Sequence, residues 1–102
     1  MDDVSLPLPD RLNLQTAPIS WPELERFFAR GRVLDVAAEL DLIEVAAALT
    51  EDDVEKFSQW TQTKQVQHLQ DETAKQWVAD DRNLWAVVIA PWVLVQNRLP
   101  SH

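Results

Sequence analysis

LWAVVIAPWVLVQ, residues 84–96, is the stretch on which the fold turns. Twelve apolar residues in succession, two of them tryptophans, stand in a chain of net charge −8. Such a run is a membrane segment, an exposed binding surface or the middle of a core. A spanning helix takes about 20 apolar residues, and this run is shorter and contains Pro91. Valine, isoleucine and tryptophan favour strands. Unbroken apolar character means that both faces are covered, as in a central strand. Proline gives no N–H to a ladder, so Pro91 marks a bulge, a bend or an edge. The run therefore reads as one long core strand, 85–90 and 92–96, bent at Pro91.

Working back from that strand, DDRN turns the chain into it, and Asp71 caps a helix over 72–80 with Ala74, Trp77 and Val78 inward. VQHL, 66–69, reads as a short strand. In TEDDVEKFSQW, Thr50 caps a helix over about 51–63, and the acids that follow complement the positive end of its dipole. Residues 33–37 and 42–49 read as the two strands of a hairpin, because Ile43, Val45, Ala47 and Leu49 alternate with Glu44 on the other face. The alanines at 46–48 would suit a helix on propensity alone.

The strongest local signal is ISWPELERFFARG. Ser20 and Glu23 form a capping box, Pro22 sits in the first turn, and Ile19 and Leu24 make a hydrophobic staple. Trp21, Leu24, Phe27 and Phe28 share one face, and Gly31 is placed for a left-handed stop. This is a helix over 21–30. Before it, Asp10 caps a short helix to Ala17, ended by Pro18, with Leu12 and Leu14 as its apolar residues. Residues 1–9 read as a flexible arm, 10–97 as one globular domain and 98–102 as a polar tail. The expected class is α+β in the order α-α-β-β-α-β-α-β, a single small domain. Its sheet is at least partly antiparallel, with helices packed on it.

A chain of 102 residues, 46% hydrophobic and 25% charged, holds one core of ordinary composition. The acidic balance disfavours nucleic acid and anionic membranes as partners. MDDVSLPLPD has acids where a signal peptide needs bases, which points to the cytoplasm. The absence of cysteine excludes disulfides, thiolate metal sites and cysteine nucleophiles. With one glycine and no G-x-S-x-G, neither a Gly-rich phosphate loop nor a nucleophile elbow is present.

The acidic run Glu51, Asp52, Asp53 and Glu55 lacks the glycine and spacing of a calcium loop, and helix-dipole complement explains it. His68 has no second histidine placed to form a ligand set with it, and reads as a solvent-facing or partly packed side chain. No catalytic residue, metal or cofactor is assigned. Arg26, Arg30 and Arg32 hold three of the nine basic residues within seven positions. They are candidates for gripping an anion, although cations also belong at a helix C-terminus. Of the five tryptophans, Trp92 follows the proline and has no direction fixed by pattern. Turned outward, it would anchor a partner or a second copy of the chain.

WPELERFFARG, ELDLIEVA, TEDD and LWAVVIAPWVLVQ together resemble the small bacterial proteins of domain of unknown function 2288. The resemblance runs from about Leu12 to Gln96, with ERFFARG and PWVLVQ its more specific parts. It implies a bacterial, soluble, single-domain protein and brings no activity, cofactor or catalytic residue with it. Two functions compete. One is a non-enzymatic module binding a protein partner or forming a homo-oligomer. The other is a small anion-binding protein or enzyme using the Arg26 and Arg30 patch.

Overall fold

The 84–96 run folds back on itself. It forms two strands, β4 (Leu84–Ile89) and β5 (Trp92–Asn97), paired antiparallel from Leu84 opposite Asn97 to Ile89 opposite Trp92. The Ala90–Pro91 peptide bond at the tip is cis. The expected single bent strand is therefore corrected to a hairpin. Proline at the tip forfeits no ladder bond, and each half of the run satisfies the backbone of the other.

The structure is a computed structural model and describes residues 7–80 and 84–97. The expected tail at 98–102 and residues 1–6 of the expected arm lie outside the described residues, as do residues 81–83. The remaining elements are α1 (Leu8–Gln15), β1 (Ala17–Pro18), α2 (Trp21–Ala29), β2 (Val33–Val36), α3 (Leu42–Thr50), α4 (Val54–Gln62), β3 (Val66–His68) and α5 (Asp71–Asp80). One mixed sheet runs β1-β4-β5-β2-β3, antiparallel except where β2 lies parallel to β5. The α+β class and the mostly antiparallel sheet under helices are as expected.

The second correction is α3. Its segment was expected as a strand paired to β2, and it is a helix. The Asp41 carboxylate accepts from the Ile43 N–H at 2.9 Å and caps it. The buried residues Leu42, Val45 and Ala46 recur at three and four, and the alanines add propensity. Over so short a run, alternation and helical period coincide. β2 instead pairs with β3 and β5, from either side.

Smaller shifts have local causes. Thr50 closes α3, its hydroxyl donating to the Ala46 carbonyl at 2.8 Å, and Asp53 caps α4 by accepting from the Lys56 N–H at 3.3 Å. α1 starts at Leu8, with Pro9 in its first turn, and Ala17–Pro18 pairs with β4. Val78, expected inward, is exposed, as is Leu14. Helix α2 forms as read, with Glu23 accepting from the Ser20 hydroxyl at 3.1 Å and Gly31 at φ 69°.

The sheet is covered on both faces. Leu12 of α1, with Leu42, Val45 and Ala46 of α3, packs on Leu34, Val36, Val66, Val87 and Leu94, joined by half-buried Phe57 and Trp60 of α4. Leu24 of α2 and Trp77 of α5 pack on Val33, Leu84, Ala86, Val93 and Val95.

Gln96 is the one polar residue buried with the core among the described residues. Its amide donates to the carbonyls of Ala37 at 2.9 Å and Leu40 at 2.7 Å, and so ties the loop before α3 to the sheet. Gln96→Leu removes both N–H donors and leaves the Leu40 carbonyl short of a partner, while the Ala37 carbonyl keeps the Leu40 N–H at 3.0 Å. We expect a loss of about 1–3 kcal/mol in urea unfolding with an unchanged slope. A neutral result would show that the loop is held by α3 packing alone.

Candidate functional site

The site is set by strand register. The Val93 N–H donates to the Arg32 carbonyl at 2.9 Å, and Val33 lies opposite Val93, so Arg32 comes beside Trp92. On the other side of β2, Leu34 lies opposite His68. Side chains alternate along a strand. Arg32, Leu34, His68, Trp92 and Leu94 therefore share the α3–α4 face.

Trp92 is half-buried, whereas Arg32 and His68 are exposed. The His68 imidazole meets the indole edge-on, with ring centroids 5.6 Å apart and planes at 64°. The Arg32 guanidinium carbon stands 5.7 Å from the indole centroid, within cation–π range. Among the described residues neither Arg32 nor His68 has a side-chain hydrogen bond or a carboxylate partner.

Beside this cluster lies a groove of about 390 Å³, walled by Leu34, Leu49, Phe57, Val66 and Trp92, with Thr61 and His68 among its polar lining. Volumes of roughly 300–1,000 Å³ are typical of small-molecule sites. A second hollow of about 290 Å³ shares Leu49, Phe57 and Thr61 with it and continues to Asp52, Asp53 and Val54. Val54, Phe57 and Thr61 lie three and four apart on α4, which makes that helix the common wall. Phe57 is braced by Trp60 at 6.4 Å, close to edge-on.

Arg30 and Arg32 border another hollow of about 390 Å³ with Phe27, Val88, Ala90 and Pro91, which does not include Arg26. Arg26 is exposed on α2. Glu23, three residues before it, accepts from the Ser20 N–H and hydroxyl. Among the described residues, no group of three or more His, Asp or Glu side chains converges as a metal would require. No helix among them is long and apolar enough to cross a membrane.

Sequence reading named Trp92 and Arg32 separately, set His68 aside, and passed over Leu49, Phe57 and Thr61. Phe57 and Trp60 are half-buried on α4, whereas Val54 is 67% exposed. Nothing in the sequence showed that α4 lines a concavity with Trp92 and His68.

The model of the family described as "Protein of unknown function (DUF2288)" matches residues 7–97. The chain belongs to this family. The NMR solution structure of PA1075 from Pseudomonas aeruginosa is similar to the DUF2288 chain, with a TM-score of 0.81 and 47% identity over 91% of this chain and 86% of that one. No curated protein matches it.

One titratable group in this DUF2288 fold stands apart from the groove. Asp35 lies on β2 between Gln67 and Val95, on the sheet face that Val33 shares with α2 and α5. Burial raises its carboxyl from the ordinary 3.8 to about 6. The folded protein holds this proton more tightly than the unfolded chain does. Stability is therefore lost as pH rises from about 3.8 through about 6, and the loss is complete above that. Asp35→Asn removes the penalty. After allowance for partial exposure we expect a gain of about 1–2 kcal/mol at pH 7.5 that shrinks toward zero at pH 4. Thermal unfolding at the two pH values checks this, and an equal gain at both would contradict it.

Proposed function

We propose that the protein is a non-enzymatic binding protein whose recognition site is the groove beside Trp92. The observation that carries this reading is a half-buried tryptophan forming one wall of an apolar concavity, with unpaired polar groups on it. Tryptophan so placed gives a large contact area at low entropic cost. The reading also accounts for the continuation of the groove along α4 to Val54, a valine that is 67% exposed. His68 has no carboxylate or hydroxyl partner among the described residues to orient it as a base, which favours binding over catalysis. The cysteine-free composition fits a reducing compartment such as the cytoplasm.

Thr61 is exposed on the groove wall, so Thr61→Arg fills the concavity without touching the core. We expect the native protein to enhance the fluorescence of anilinonaphthalene sulfonate, a probe of apolar grooves. The variant should lose most of that enhancement at unchanged melting temperature. Equal enhancement in both proteins would place the probe elsewhere and remove the groove as the site.

A second reading, self-association, has its own observation. β1 covers β4 only at Trp85 and Ala86, with one further bond from the Ile19 N–H to the Leu84 carbonyl at 3.0 Å. Alternation turns the Val88 backbone to the same edge as that of Leu84, and the Val88 side chain is 54% exposed. Two such edges could pair antiparallel about a two-fold axis. Light scattering behind size exclusion should then show a dimer that Val88→Lys returns to monomer. A monomer at every concentration would remove this second reading and leave the first untouched.

A further inference from the structure

The groove is not electrically uniform, and that asymmetry identifies what it takes. The hollow that adjoins it along α4 opens on Asp52 and Asp53. The groove's other end is formed by Trp92 and His68, and Arg32, which lines the neighbouring hollow with Phe27 and Val88, reaches the rim there, 5.7 Å from the indole centroid. In a chain with 17 acids and nine bases, Arg32 pairs with no carboxylate among the described residues. Holding a guanidinium on an indole face fixes it in place and leaves its N–H groups directed outward. The His68 ring offers an N–H donor in either neutral tautomer. Between the two ends the wall is Leu34, Leu49, Phe57 and Val66.

We propose that the groove binds a small amphiphilic carboxylate, its acid group paired with Arg32 beside Trp92 and its apolar body lying along α4 over Leu49 and Phe57. This rests on the groove being the recognition site. The reverse orientation would set the carboxylate against Asp52 and Asp53, where like charge repels it. A cationic head is repelled at the Arg32 end. A neutral tail of the same length fills the same walls and gains nothing from the guanidinium. Charge therefore selects the ligand class, and the apolar length sets how far it reaches toward Val54.

The test is a titration of the full chain, followed by amide and indole NMR shifts, with octanoate, octan-1-ol and octyltrimethylammonium. Octanoate should shift Phe57, Thr61, Val66, His68 and Trp92. It should bind about tenfold more tightly than the alcohol, as a charge-assisted hydrogen bond provides. Arg32→Gln, a change at an exposed side chain, should bring octanoate down to the alcohol's affinity and leave the alcohol's own unchanged. Arg26→Gln should alter neither. Octanoate binding no better than the alcohol, or a preference that survives Arg32→Gln, would overturn the carboxylate assignment and leave the groove as a site for neutral ligands. Absence of shifts at these residues with all three probes would overturn the groove itself.

Discussion

The parallel pairing of β2 with β5 is the constraint on which the rest of the structure depends. Val33 and Leu34 lie opposite Val93 and Leu94, and Val36 opposite Gln96, at the centre of the sheet, each at most 6% exposed. Parallel neighbours cannot be joined by a tight turn. The chain between β2 and β5 therefore carries α3, α4, β3, α5 and β4 before it returns. β3 takes the outer side of β2, and β4 the outer side of β5, which fixes the strand order. The two helix layers follow, because both faces of such a pair are apolar and must be covered.

The same register makes the site. β2 and β5 start side by side, so the residue before β2 and the first residue of β5 are Arg32 and Trp92, neighbours in space and far apart in sequence. β3, closing the sheet next to β2, adds His68. Helices α3 and α4 cover the middle of this face and leave its end open. Leu49 and Phe57 meet Trp92 there across a concavity.

Signals confined to one turn of chain were legible. The Ser20–Glu23 box, Gly31 at the stop of α2, the short strand at 66–68 and the helix from Asp71 all stand where local chemistry put them. Misreadings arose where two periods coincide or where the partner is distant. Residues 42–49 satisfy both alternation and a helical stripe, and Asp41 as a cap decides for the helix. Pro91 signals a break in a strand, but whether the chain bends or reverses depends on what each half pairs with. The site was legible only as separate residues. Arg32 and Trp92 drew notice by cluster and by position, whereas their contact with each other and with His68 is a product of the parallel register, which no local pattern encodes.

The measurement that bears most directly on this account is a set of proton–proton nuclear Overhauser effects from the Trp92 indole in the free protein. We expect cross-peaks to the His68 ring protons and to the side-chain methylenes of Arg32, since both groups lie within 5.7 Å of the indole centroid. Cross-peaks from Trp92 to Phe27 or Val88 instead would put the indole on the opposite face of the sheet. The β2–β5 register, and the groove built on it, would then be wrong.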